Sequence, residues 1–412
     1  MAIIRGLFTG CMHSSFWRAG HPRSLVAALV HFDVSFMVWV LLGALGAYVA
    51  ADLGLSPFQK GLMVAVPPLG GALFRLLIGA MAERVGLRRT GLFMLAATLV
   101  PLAWGAFAGG SFPQVLGIGL LLGIAGASFA VALPLVAYWY PPEHQGLALG
   151  IAGAGNSGTV VAALAAPRLA EHVGWHATFA LAALPVGLAW AVFAVLAKEP
   201  PRPAGAAAPA RLTGPVRLLA FPDARRLCAF YSVTFGGFVG LASYLPIFFV
   251  DRFGLTKVSA AGYAALCTVA GSLLRPLGGA LADRLGGTRV LTAVLAAVGA
   301  IGVGLAALPG LGPTVAMLFC ALGALGMGNG AVLGLVPARF PTQIGAVVGL
   351  VGAAGGLGGF ALPFVLGSLA NALGSFTPGF ACIAAAAAGA AMGAVRVEAR
   401  WRHPAGPELA VA

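Results

Sequence analysis

Two arginines pose the chemical question. Arg75, in Phe74-Arg75-Leu-Leu-Ile, and Arg275, in Leu274-Arg275-Pro-Leu-Gly, each stand in an apolar stretch eight residues ahead of an acidic residue, Glu83 or Asp283. Placing an arginine mid-helix in lipid costs about 2.5 to 3.5 kcal/mol even on a lenient insertion scale, so each one needs a partner. Asp33 is the one carboxylate inside an apolar stretch, and the other ten acidic residues fall outside them. Two guanidiniums with so little compensation leave a positively charged site, and their planar forks of donors suit a small planar oxyanion. Asn156, in Ala154-Gly155-Asn156-Ser157-Gly158, is a neutral amide that donates to such an ion without adding charge. The competing reading is that the arginines bond backbone carbonyls opened by glycine and proline, for example around Pro276.

The elements that must hold these side chains are membrane helices. Of 412 residues, 60% are hydrophobic and 8% charged, against roughly 25% charged in a soluble domain. A hydrocarbon core about 30 Å thick needs about 20 apolar residues per helix. Cut at its charges, prolines and turn residues, the chain gives twelve spans, near 26 to 50, 58 to 80, 91 to 109, 114 to 137, 146 to 169, 176 to 196, 226 to 250, 259 to 281, 290 to 308, 313 to 336, 343 to 369 and 376 to 395. They are numbered 1 to 12 below. Residues 1–25 read as a tail, 26–197 as a first half, 198–225 as a linker rich in Pro, Ala and Arg, 226–396 as a second half and 397–412 as a second tail. With the amino terminus inside, 18 of the 24 basic residues are cytoplasmic, as the positive-inside rule requires. Topology thus accounts for the net charge of +13, and nucleic acid is not an expected partner because no soluble domain carries a basic patch. Cys11, Cys228, Cys267, Cys320 and Cys382 lie far apart without ligand spacing and read as small core residues. No metal or cofactor site is expected.

A shift of 200 residues aligns Arg75 with Arg275, Gly79 with Gly279, Glu83 with Asp283, Arg84 with Arg284, Gly86 with Gly286, Pro141 with Pro341, Gly155 with Gly355 and Gly158 with Gly358. Two homologous six-helix halves follow, and repeats of this kind place a substrate site near the midplane between them. Over its whole length the sequence resembles the major facilitator superfamily. The carrying residues are Gly79-Ala-Met-Ala-Glu83-Arg84-Val-Gly86-Leu-Arg88-Arg89 and the weaker echo Gly279-Ala-Leu-Ala-Asp283-Arg284-Leu-Gly286. The resemblance implies an all-α integral membrane fold of twelve transmembrane helices in two pseudo-symmetric halves. Glu83, Arg84, Arg88 and Arg89, with Asp283 and Arg284, are expected to form charge clusters that make and break between access states; the plainer reading is a positive stop signal after span 2.

Span 5 carries Gly150, Gly153, Gly155 and Gly158 around Asn156, and span 11 carries Gly352, Gly355, Gly356, Gly358 and Gly359. Glycines at this spacing let helices approach closely. With an arginine in each of spans 2 and 8, these segments resemble the signatures of the nitrate/nitrite porter family. The resemblance implies that Arg75 and Arg275 clamp a nitrate or nitrite, that Asn156 donates to it, and that Phe36, Phe129, Tyr231 and Phe235 wall it in. Asn329, in span 10, is expected nearby. It further implies a bacterial inner-membrane, multi-pass transporter with both termini cytoplasmic, acting as a monomer.

Other classes fit less well. A channel does not need two duplicated halves with a central site. An intramembrane enzyme would need a nucleophile or metal set, yet His31 and Asp33 are two residues apart, off one helix face, and no HExxH or GxSxG occurs. A sensor would leave the arginine pair without a task. For energy coupling, Asp33 is the group in the spans able to take up a proton, so proton symport is the favoured reading and nitrate/nitrite exchange the runner-up. The alternative for Asp33 is a helix-start carboxylate held by a helix dipole.

Overall fold

The computed structural model describes residues 14–201, 217–340 and 343–401, which hold helices and no strand. Ten helical stretches are long and apolar enough to cross a membrane, and one of them, running to Leu196, is two spans joined at Gly174, whose φ of 81° breaks the helix. Span 1 is a further crossing, broken into Pro22–Trp39, Leu41–Ala44 and Gly46–Asp52. The described residues therefore cross twelve times, and both described ends, Ser14 and Trp401, lie at the same end of the bundle, called here the termini end.

Spans 2 and 3 are Pro57–Val85 and Leu87–Phe107. Span 4 is split into Phe112–Gly126 and Phe129–Trp139. Span 5 begins as Pro142–Gly153, tightens to a 3-10 turn over Ala154–Ser157 and resumes at Gly158. Spans 7 to 12 are Pro222–Phe253, Lys257–Leu285, Gly287–Ala306, Leu311–Arg339, Ile344–Leu373 and Thr377–Trp401. The sequence reading differs in three places. Helix begins at Pro22, inside the expected tail, and a short helix, Ser14–Ala19, precedes it. Spans 1 and 4 are broken instead of continuous. Of the described cysteines, Cys228 and Cys267 are buried but Cys320 and Cys382 are exposed, where the apolar solvent of a membrane tolerates a small thiol. Cys11, Pro341, most of the expected linker and the tail from 402 onward lie outside the described residues.

Glycine sets how closely the spans cross. A Cβ at Gly158 would collide with the Asp33 carbonyl in span 1, and one at Gly358 with the Ser232 carbonyl in span 7. Gly155 likewise admits Phe32, and Gly355 admits Tyr231 and Phe235. The repeat in sequence is thus a repeat in packing, with span 5 crossing span 1 as span 11 crosses span 7. Gly86 and Gly286 serve differently: at φ 103° and 94° they turn the chain between spans 2 and 3 and between spans 8 and 9, in a region where side chains are strained.

At the termini end each half is braced internally. The Glu199 carboxylate, just past span 6, accepts from the N–H groups of Leu87 at 2.7 Å and Arg88 at 2.8 Å, capping span 3. Arg88 answers by donating to the carbonyls of Ala197 and Ala194 at the end of span 6. In the second half Arg289 pairs with Glu398 at 2.9 Å, and Asp223 takes both Arg226 and Arg339. Arg88 therefore departs from its expected place in a conformational cluster: a helix C-terminus attracts a guanidinium, and the one within reach belongs to its own half. Glu83, Arg84, Arg89, Asp283 and Arg284 are exposed at this end.

Not every glycine of the signature is a crossing point, since a Cβ at Gly153 meets nothing within 4 Å. Gly158→Ala should cost roughly 1–3 kcal/mol through overpacking, while Gly153→Ala should leave stability at or above wild type. Thermal melts of the two variants in detergent, read side by side, check the contrast.

Candidate functional site

Arg75 is 3% exposed, and its surroundings are built by breaks in the helices. Ala130 N–H bonds the carbonyl of Ala127 at 2.9 Å, a shortened turn that leaves the Gly126 carbonyl without its helical donor. Arg75 Nε donates to that oxygen at 3.1 Å, and Arg75 Nη1 donates to the Gly352 carbonyl in span 11. The second bond crosses between the halves. The guanidinium carbon lies 5.5 Å from the Trp39 ring, 5.6 Å from Phe129 and 5.3 Å from Phe235, a cage from both halves whose π faces favour a cation. Trp39 is locked by its Nε1–H donating to the Pro67 carbonyl at 2.8 Å.

Part of each guanidinium is unspent. Arg75 Nη2 is buried without a hydrogen-bond partner, and so is Nη1 of Arg275, which is only half-buried overall. The two charges are close enough to act on each other, and Tyr231 feels both. Tyr231 stacks on Phe235 at 5.0 Å, and its buried hydroxyl, beside Arg275, closes no hydrogen bond. Asn156 is 3% exposed; its Nδ2 donates to Ser272 Oγ at 3.3 Å, three residues before Arg275, and its Oδ1 has no partner. Buried polar groups are normally satisfied. Here two guanidinium nitrogens, a phenol hydroxyl and an amide oxygen are all buried and unpartnered.

Of the residues expected from the sequence, Arg75 lies against both Phe129 and Phe235, Tyr231 stacks on Phe235 beside Arg275, and Asn156 reaches Ser272, three residues before Arg275. Phe36 packs on Phe32 at 4.3 Å and Trp39 at 5.0 Å, one layer behind the rings that touch Arg75. Asn329 is buried with Oδ1 unpartnered; its neighbour Gly330 lies against the Arg275 backbone. The glycines divide by face. Gly155, Gly158, Gly355 and Gly358 pack within a half, whereas Gly352 meets Arg75, Gly356 meets Ala72 and Gly359 meets Pro68 across the halves. The residue of span 5 that corresponds to Gly356 is Asn156, and it faces Ser272, the counterpart of Ala72. Asp33 bonds Ser157 Oγ at 2.7 Å and faces the Gly158 N–H, so it caps the resumed helix of span 5. It stands three turns into span 1. His31 turns elsewhere, against Phe193 of span 6 at 4.8 Å, and makes no pair with Asp33. Trp39 and the carbonyls of Gly126 and Gly352 were not foreseen. An indole and two backbone oxygens give no motif.

The site has one closed side. Toward the end opposite the termini, Gly61 packs on Pro363 and Gly367, Gly43 on Ser243 and Gly46 on Ile247, and Lys60 pairs with Asp251 at 2.8 Å, all across the halves. Toward the termini end, Gly79 lies two turns from Ala72, and Gly349 and Gly345 lie one and two turns from Gly352 on the face that meets Arg75. A Cβ at any of the three would find open space. Spans 2 and 11 thus diverge below Arg75.

Comparison with known proteins agrees with this architecture. The family profile described as Major Facilitator Superfamily matches residues 27–363. A protein of Bacillus subtilis named nitrite extrusion protein is 34% identical over 351 residues, covering 84% of this chain and 86% of its own length. A probable nitrate/nitrite transporter, NarK2, of Mycobacterium tuberculosis is 34% identical over 358 residues, with 85% and 89% covered. A probable nitrate/nitrite antiporter, NarK1, of Thermus thermophilus is 32% identical, with 84% of each chain covered. Among solved structures, a bacterial homologue of the human lysosomal transporter Spinster, in an inward-facing and occupied conformation, superposes with a TM-score of 0.63 at 20% identity, covering 92% of this chain and 93% of that one. The human organic anion transporter MFSD10 gives a TM-score of 0.69 at 18% identity, with 90% and 99% covered. These two likenesses concern the fold.

The cage makes one demand testable without any ligand. Trp39→Phe keeps an aromatic face over Arg75 but removes the buried indole bond to the Pro67 carbonyl, a loss of roughly 0.5–1.5 kcal/mol. The melting midpoint of the purified variant should fall accordingly; an unchanged midpoint would mean that the indole bond contributes nothing net.

Proposed function

Because the chain belongs to the major facilitator superfamily and, within it, to the nitrate/nitrite porters, we propose that it is a secondary transporter of nitrate and nitrite that works by alternating access and performs no catalysis. The observation that carries this reading is the pair of buried, unpartnered guanidinium nitrogens, Arg75 Nη2 and Arg275 Nη1, one from each half. A planar anion with three oxygens accepts from both, with the Tyr231 hydroxyl and Asn156 filling out its shell. The Arg75 bond to Gly352 then acts as a stand-in: a backbone carbonyl of the opposite half occupies the guanidinium until the anion arrives. Binding draws the halves together through the anion, and the halves rock about it.

With both termini in the cytoplasm, as the distribution of basic residues supports, the open side of the site faces inward. The chain lies in the bacterial inner membrane and acts as a monomer, since the arginines, amide and rings all come from one chain. The test of substrate chemistry is nitrate uptake by reconstituted protein. Arg75→Lys and Arg275→Lys keep the charge and lose the planar fork, so uptake should fall at least tenfold (about 1.4 kcal/mol) with insertion intact. Near wild-type rates in both variants overturn the assignment.

Accumulating one anion against an inside-negative potential costs about 2.3 kcal/mol per 100 mV. We favour proton coupling through Asp33. Its carboxylate holds the break in span 5 immediately beside Asn156. Protonation weakens that cap and loosens the turn carrying the amide, which links proton occupancy to the anion site. The second reading is exchange for outgoing nitrite, favoured by the antiporter name of the Thermus relative. Nitrate uptake into vesicles without internal anion separates them. An imposed inward proton gradient should drive uptake by wild type and fail to drive it in Asp33→Asn; uptake that ignores the gradient and requires internal nitrite makes exchange correct and Asp33 structural.

A further inference from the structure

Away from the central site, a cavity of about 520 Å³ opens on the flank of the second half, between spans 7 and 12 at the termini end. Span 7 lines it with Arg226, Ala229, Phe230 and Val233, and span 12 with Ala386, Gly389, Ala390, Gly393, Arg396 and Val397. On each helix these residues recur at three- and four-residue spacing, so the two faces oppose each other. The corresponding pair in the first half, spans 1 and 6, is closed by a ring: Phe193 is fully buried, 4.8 Å from His31 and against Gly91. Span 12 has no aromatic residue between 381 and 398, so nothing fills the gap.

The lining is apolar along its length and basic at one end. Arg396 is exposed at the mouth, and Arg226 beside it shares its charge with Asp223 at 2.6 Å. An apolar slot in a hydrocarbon environment fills with an acyl chain, and two arginines at the level of the helix ends select the charge of the head group attached to it. We infer that this cavity is a binding site for one anionic phospholipid, with an acyl chain along Phe230, Ala390 and Gly393 and the phosphate between Arg226 and Arg396. Basic pockets between membrane helices on the cytoplasmic side suit such head groups, because that leaflet carries the anionic lipid.

Native mass spectrometry of the purified protein, offered phosphatidylglycerol or phosphatidylcholine with the same acyl chains, tests the site. Wild type should retain one phosphatidylglycerol and no phosphatidylcholine at the same concentration. Gly393→Phe supplies the missing ring; a Cβ there meets only Phe230, at 3.6 Å, and phosphatidylglycerol affinity should fall at least tenfold. Arg396→Gln, at an exposed position, should weaken phosphatidylglycerol about fivefold and leave the melting temperature unchanged. Equal retention of the two lipids, retention of neither, or undiminished phosphatidylglycerol binding by Gly393→Phe overturns the proposal. If Gly393→Phe does not fold, unchanged affinity in Arg396→Gln alone overturns it.

Discussion

A guanidinium kept in an apolar bundle must find acceptors without water, and much of this structure is arranged around that requirement. Arg75 takes one carbonyl from a helix that shortens its turn to release it, and another from a glycine of the opposite half. Three rings from both halves surround it. None of these partners carries charge. Neutral acceptors take Nε and Nη1, Nη2 stays unpartnered, and the positive charge is left uncompensated, a field that attracts negative charge. A carboxylate in the same place would have stabilised the empty protein and abolished that attraction.

The two halves repeat in packing but not in chemistry. Gly158 on span 1 and Gly358 on span 7 make the same crossing. Where the halves meet, the positions diverge: Gly356 against Ala72 lets spans 2 and 11 come into backbone contact, while Asn156 against Ser272 puts polar groups in the corresponding place. One interface is specialised for closeness and the other for hydrogen bonding. Arg75 is correspondingly buried and engaged across the halves, and Arg275 is half-buried with a free nitrogen.

Much of this was legible in the sequence because it follows from few rules. Arginine in an apolar run is costly enough to need buried partners, and a repeat of 200 residues fixes which positions correspond. Span ends followed charges and prolines. The breaks in spans 1 and 4 were not legible, because glycine, alanine and valine runs read as continuous helix and the break is decided by what packs on them: Gly126 is pressed by Trp39. Nor was the direction of Arg88, whose partner Glu199 is more than a hundred residues away and marked by no motif. The role of Asp33 lay between the readings the sequence allowed: it does cap a helix, but the helix belongs to span 5 and the residue it steadies adjoins the site amide.

The pair Lys60–Asp251 joins the halves at the closed end, with both side chains about a fifth to a quarter exposed. An ion pair so accessible contributes only about 0–1 kcal/mol and is screened further by salt. The resistance to opening at that end must therefore come from the uncharged contacts beside it, where Gly61 meets Pro363 and Gly367. Shape, not charge, then holds the halves together at this end, and added salt should loosen the contact little.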